Sequence, residues 1–115
     1  MKKIIRGAVY YVDFTPNIGH EQGGFRPAVI IQNDTGNKFS ETTIVVPIST
    51  RQTGYKKQPT HVDISTLKKI RPKSIVLLEQ IKTIDKSRLK GYICDLSEQE
   101  MSKIDEAICV SLGLK

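Results

Sequence analysis

The sequence predicts a small, mainly β domain, an antiparallel barrel or strongly curved sheet with one α-helix at its carboxy terminus. Six short segments rich in β-branched and aromatic residues, each bounded by turn formers, carry the β part of that reading. Helical periodicity with a start signal occurs only after residue 96, which supplies the helix. With 115 residues the chain is read as one domain, 1–115, large enough for a modest core.

The first strand is read at Ala8–Phe14 (AVYYVDF), β-rich and partly alternating, and the second at Pro27–Gln32 (PAVIIQ), a short run with a buried look. Between them Gly19–Pro27 (GHEQGGFRP) makes a long hairpin connection. Asn33–Thr42 (NDTGNKFSET) is dense in turn formers and leads to Thr43–Ile48 (TIVVPI), where Pro47 points to an edge or a bulge. Ser49–Pro59 (STRQTGYKKQP) is too polar for a core and reads as a second, basic hairpin loop before the alternating strand Thr60–Ile64 (THVDI). Ser74–Ile81 (SIVLLEQI) reads as a central strand, Thr83–Leu89 as a helical turn and Gly91–Leu96 (GYICDL) as a closing strand. Ser97 then opens the helix. Ser97 and Glu100 have the spacing of a capping box, and Met101, Ile104, Ile108 and Leu112 recur every three or four residues to form one apolar face.

Composition narrows the function classes. No apolar run approaches the length of a membrane-spanning helix, and the opening MKKIIRG has no extended apolar stretch or cleavage site, so a soluble cytoplasmic protein without a secretion signal is expected. Cys94 and Cys109 lack metal-ligand spacing and have no clustered histidines, so they are read as buried small hydrophobes, with no metal and no cofactor expected. The net charge is +6, and residues 41–93 carry 11 Lys and Arg against 4 Asp and Glu, whereas 94–115 carry 2 against 5. A basic middle of that kind attracts polyanions such as nucleic acid; the competing reading is an ordinary solvated Lys-rich surface.

The loop Gly19–Pro27 is the densest in chemistry. His20 offers an imidazole, Glu21 a carboxylate, Gln22 an amide, and Arg26 a permanent cation with a rigid fork of donors. Its glycines allow backbone conformations that side chains forbid. Taken alone, the same residues also suit a solvated hairpin loop.

In order along the chain, GHEQGGFRP after YYVDF, then VVPIST, PTHVDI and IVLLEQIKTIDKSRL resemble the MazF/PemK family of toxin endoribonucleases, over nearly the whole length. The resemblance implies an SH3-like barrel, a homodimer, metal-independent cleavage of single-stranded RNA at a short sequence, and neutralisation by a cognate MazE-like antitoxin through an acidic carboxy-terminal segment. The family's catalytic arginine falls on Arg26, and its catalytic hydroxyl, usually a threonine, falls on Ser49, with Thr50 the neighbouring candidate. Glu21 and Gln22 match the acidic and amide positions of the motif, and His20 matches members that read GHEQ. Some plasmid-borne members use an arginine and an aspartate where this chain has Leu77 and Glu79, which puts the burden here on Arg26 and Ser49.

The chemistry that the resemblance implies needs few parts, because RNA brings its own nucleophile. The 2′-OH attacks the phosphorus, leaving a 2′,3′-cyclic phosphate and a 5′-hydroxyl; the protein aligns the groups, moves a proton and stabilises the charge on the non-bridging oxygens. Arg26 suits the phosphate, Ser49 a hydrogen bond to it, and Glu21 the base, with His20 its rival. Glu79 and Gln80 are candidates for reading a base edge or for a solvent face of a strand. Tyr55, Lys56 and Lys57 are candidates for stacking and for tracking the backbone, and His61 reads as a satisfied structural histidine. A non-catalytic nucleic-acid-binding module and a regulator that captures an acidic peptide remain alternatives at this point.

Overall fold

The computed structural model describes residues 4–114; Met1–Lys3, the start of the basic opening stretch, and Lys115 lie outside the described residues. Seven strands form one antiparallel sheet: β1 Ala8–Asp13, β2 Phe25–Ile30, β3 Thr42–Thr50, β4 His61–Asp63, β5 Ser74–Leu77, β6 Lys82–Asp85 and β7 Leu89–Asp95. The order is β4-β5-β3-β2-β1-β7 with β6 beside β3, so of the two expected forms the open, curved sheet is the one adopted. A short helix, α1 (Asp34–Phe39), follows β2, and α2 (Glu98–Leu112) ends the chain.

β1 and β2 are apolar at most positions because the sheet is covered on both faces. Val9, Val29, Val46 and Ile48 pack on one side with Leu67, Leu78 and the α2 residues Ile104 and Ala107. Ala8, Tyr10, Val12, Ala28, Ile30 and Val45 pack on the other side with Phe14 and Ile84. Successive residues therefore alternate between two apolar clusters rather than between core and water. Each Val or Ile buried in this way contributes roughly 1.5–3 kcal/mol.

The helix start is as the sequence indicates. Ser97 Oγ accepts from Glu100 N at 3.1 Å and Glu100 Oε1 accepts from Ser97 N at 3.0 Å, a reciprocal capping box, while Gly113 ends α2 in the left-handed region at φ 73. Ile104 is fully buried and Met101 and Ile108 pack on the same cluster, but Leu112 is exposed. Ala107 is buried on that face in its place.

Several elements differ from the sequence reading. Ser74–Ile81 is not one strand: β5 stops at Leu77, a 3₁₀ turn spans Leu78–Gln80, and β6 covers residues read as a helical turn, which begins only at Lys86. Leu78 N donates to Thr60 O at 2.8 Å and its carbonyl accepts from Ser111 Oγ at 2.7 Å, so contacts from the residue before β4 and from α2 override a run whose residue types fit a strand. Pro47 lies in the central strand β3 and not at an edge. Val45 is the last β3 residue paired with β6 and Ile48 the first paired with β5, so a residue without an N–H falls where that ladder is interrupted.

The turn-rich stretch before β3 contains α1, capped by Asn33 Oδ1 accepting from Gly36 N at 2.8 Å. It is pinned by Asn37, buried, whose Nδ2 donates to Gln32 O at 2.9 Å and whose Oδ1 accepts from Thr43 Oγ1 at 2.7 Å. The turn formers here double as a cap and a buried polar anchor, which composition does not distinguish from a loop. β2 begins earlier than read, at Phe25, and β3 runs on to Thr50. Cys94 and Cys109 are free thiols and half-buried, not buried; burial pushes the Cys94 thiol up, followed by the charge of Asp95.

Candidate active site and nucleic-acid interface

The loop from β1 to β2 is ordered by its own polar groups. Glu21 N donates to Ile18 O at 3.1 Å while Glu21 Oε1 accepts from Ile18 N at 2.7 Å, closing a turn that brings the carboxylate back over the loop. Gly24 sits at φ 73, the left-handed region, as its carbonyl accepts from Phe14 N at 3.0 Å. Arg26 Nε donates to Gly23 O at 2.9 Å, which fixes one edge of the guanidinium and leaves its terminal nitrogens as donors. Arg26 is half-buried, and burial first, then the nearby charge of Arg71, push its guanidinium down from its usual range.

Strand register relates Arg26 to Ser49. The β2–β3 pairing ends at Ala28 and Pro47, which stand two residues from Arg26 and Ser49 along their strands, and from Ile48 onward β3 pairs with β5 on its other side. Strand alternation puts Arg26 on the face of Ala28 and Ile30, and Ser49 on the face of Val45 and Pro47, which is the same face of the sheet. Thr50, one residue on, falls on the opposite side of the strand. Its Oγ1 lies 3.5 Å from Arg71 Nη2.

A cleft of about 310 Å³ is lined by Glu21, Gln22, Glu79 and Gln80, with Phe14 and Pro47 among its walls, and neither Arg26 nor Ser49 is among its lining residues. Two carboxylates and two amides offer donors and acceptors at the size of a base edge. Glu79 is fixed there: Oε1 accepts from Thr60 Oγ1 at 3.0 Å and Oε2 is 2.9 Å from His61 Nε2. Burial raises the Glu79 carboxyl, but the hydrogen bonds from His61, its own backbone and Thr60 outweigh that and hold it below its usual value.

The remaining sequence candidates lie outside that cleft. His20 is exposed on the loop. Tyr55 stacks on His61, with ring centroids 5.6 Å apart and 20° between planes, and its hydroxyl is 2.8 Å from Nδ1, so one ring face is already occupied. His61 thus has partners on both ring nitrogens. Lys57 Nζ is 3.7 Å from Asp63, which also meets Arg51 Nε at 3.3 Å, whereas Lys56 is exposed. Among the described residues no group of three or more His, Cys, Asp and Glu side chains is arranged to hold a metal ion.

Arg71, which lies 3.5 Å from Thr50 Oγ1, is not among the residues that the sequence singles out. It stands in the run Lys68–Lys69–Ile70–Arg71–Pro72–Lys73, whose basic density enters the bulk charge but matches no motif. Folding brings it to the end of β3.

A family model for PemK-like, MazF-like toxins of type II toxin–antitoxin systems matches residues 5–112. Among solved structures the chain is similar to an endoribonuclease of a mycobacterial species in complex with its cognate antitoxin, at 25% identity over 97% of both chains with a TM-score of 0.80. It is similar in fold to MazF from Deinococcus radiodurans, at 23% identity over 98% of this chain and 99% of the other with a TM-score of 0.83. A MazE–MazF complex from the same organism matches at 23% identity over 100% of both chains with a TM-score of 0.76. With the family model spanning both the Gly19–Pro27 loop and the terminal helix, this chain belongs to the family of PemK-like, MazF-like toxins of type II toxin–antitoxin systems.

Proposed function

We propose that the chain is a metal-independent endoribonuclease that cleaves single-stranded mRNA at a short sequence, acting in the cytoplasm as the toxin of its pair. The observation that carries the proposal is Arg26. It is a half-buried guanidinium, without a carboxylate partner among the described residues, on the same sheet face as the Ser49 hydroxyl, and Glu21 and Gln22 of the loop before it line a cleft with Glu79 and Gln80. A cation kept in that setting is suited to the charge that develops on a phosphorane; one such preorganised donor is worth about 10²–10³ in rate. Ser49, on the same sheet face by strand alternation, donates to the same phosphate. Glu21, which lines the cleft where His20 does not, takes the 2′-OH proton, and the products are a 2′,3′-cyclic phosphate and a 5′-hydroxyl. Glu79 and Gln80 read the edge of a base, while Tyr55, Lys56 and Lys57 track the backbone of the outgoing strand.

The functional unit of this proposal is a homodimer, inhibited by an acidic segment of a MazE-like antitoxin that competes for the basic surface. The solved relatives that are complexes with an antitoxin support that partner. Total RNA treated with the purified protein in the presence of a chelator, followed by sequencing of 5′-hydroxyl ends, tests the reading. New ends concentrated at one short sequence are expected; RNA without new ends would leave a non-catalytic binding module instead.

A further inference from the structure

We propose that His61 is a positioning residue for base recognition: backed by Tyr55, it holds the Glu79 carboxylate in the cleft as a fixed acceptor, so that the base taken there carries an amino group and uracil is refused. The inference rests on the nuclease reading for RNA as the ligand, and adds to it which bases the cleft admits. Glu79 is carried on a turn anchored from two sides. Leu78, fully buried, donates from its N to Thr60 O at 2.8 Å and accepts at its carbonyl from Ser111 Oγ at 2.7 Å. His61 stands on β4 opposite Leu77 of β5, two residues before Glu79, so paired strands bring the imidazole to the carboxylate. The His61 side chain is 9% exposed and that of Glu79 43%, a buried anchor under a carboxylate that reaches solvent.

The network fixes the direction of each hydrogen bond to Glu79. Despite its burial, the hydrogen bonds from His61, its own backbone and Thr60 hold this carboxyl below its usual value, so at neutral pH it is ionised and only accepts. His61 Nε2, 2.9 Å from Oε2, then carries a proton and donates it, whether Nδ1 accepts from the Tyr55 hydroxyl 2.8 Å away or, in an imidazolium, donates to it. Tyr55 also stacks on the ring with 20° between planes, which keeps the imidazole from turning. Thr60 Oγ1 donates to Oε1 at 3.0 Å, so each carboxylate oxygen has a protein donor and keeps acceptor capacity for a ligand. Because Glu79 lines the cleft, a base there meets an acceptor that neither rotates away nor becomes a donor, as an amide does by flipping. The amino groups of adenine, cytosine and guanine satisfy such an acceptor. Uracil has none, and its Watson–Crick edge sets a carbonyl oxygen on either side of one N–H, which a fixed carboxylate repels. Gln22, Gln80 and Lys82 line the same cleft and are left to donate to the acceptors of the base, while Phe14 and Pro47 give it apolar walls.

The test compares kcat/KM of the full chain on RNA oligonucleotides that differ by one base at each position of the cut sequence; the ratio between two RNAs does not depend on the amount of folded enzyme. In the wild type one position should take an amino-bearing base in preference to uracil by about 10-fold or more, as a hydrogen bond to a charged group provides. Glu79→Gln should erase most of that ratio, and so should His61→Leu, although His61 does not line the cleft. His61→Gln, which keeps a donor near the place of Nε2, should restore most of it. A ratio unchanged in Glu79→Gln or in His61→Leu overturns the proposal, since a histidine that only supports the fold would lower activity on all RNAs alike. Equilibrium binding of oligo-A, oligo-C and oligo-U to the same proteins separates this from the nuclease reading. If no RNA is cut but oligo-U binds more weakly than the others, and the two variants lose that difference, the nuclease reading fails and the base site stands. If RNA is cut and the variants keep the wild-type preference, the reverse holds. RNA neither cut nor bound with a preference overturns both.

Discussion

Arg26 and Ser49, the residues of the proposed site, both stand near strand ends. Arg26 is the second residue of β2 and Ser49 the last but one of β3; Arg26 pairs with β1 and Ser49 with β5, and the shared face is set by strand alternation. Arg26→Lys keeps the charge and loses the fork, so on the proposed mechanism cleavage should fall by about 10²-fold with the melting temperature unchanged. Alternation also separates the two hydroxyl candidates. Ser49→Ala should lower kcat/KM by about 10-fold or more while Ser49→Thr restores it, and Thr50→Ala should cost less. Steady-state kinetics on one defined RNA oligonucleotide compare all three, and a larger loss in Thr50→Ala would reverse the assignment. The Arg26 motif was readable in the chain because its nine residues are contiguous. The contact of Arg71 with Thr50 was not, since it depends on a turn anchored by Leu67 and on the end of a distant strand.

Among the elements, α2 does more than cover the sheet. Glu100 completes its capping box and is itself buried, with Oε2 accepting from Ser65 N at 2.8 Å and Thr66 N at 3.2 Å and Oε1 accepting from the Thr66 hydroxyl. One carboxylate thus ties the start of α2 to the start of the turn that leads through Leu67 to Arg71. Burial raises the Glu100 carboxyl, but the Thr66 hydroxyl and the backbone N–H groups of Ser97, Ser65 and Thr66 outweigh it, leaving a value of about 2. A carboxylate lowered by folding stabilises the native state above its unfolded value, near 4.3, and that contribution is lost as pH falls through about 2. Urea unfolding of Glu100→Gln should show a loss on the order of 2–3 kcal/mol at neutral pH, and its difference from wild type should narrow below about pH 4. A difference that stays constant down to about pH 2 would contradict this origin. The S-x-x-E spacing made the cap legible, whereas the tie to Ser65 and Thr66 joins segments that only the fold brings together. In the same way the β-rich letters of Ser74–Ile81 gave the strand but not its break, which Thr60 and Ser111 impose.

For the whole molecule, the separation of charge accompanies the architecture: the basic excess lies in the loops and strands of residues 41–93, and the acidic excess in the segment that contains α2. Composition and strand count were enough to expect a curved sheet with a terminal helix, because both are additive properties of the chain. The cleft of Glu21, Gln22, Glu79 and Gln80 was not expected as a unit, since it needs the β1–β2 loop to meet the 3₁₀ turn after β5. The proposed homodimer is checked by sedimentation equilibrium at micromolar concentration, where twice the chain mass is expected and a monomer would exclude it. The central claim, that Arg26 drives cleavage of RNA by its own 2′-OH, is tested most directly by incubating wild type and Arg26→Ala with a long single-stranded RNA in chelator and analysing the product ends. The account expects wild type to give 2′,3′-cyclic phosphate and 5′-hydroxyl ends and folded Arg26→Ala to give at most about one hundredth as much. Intact RNA with the wild type, or equal cutting by Arg26→Ala, would contradict it.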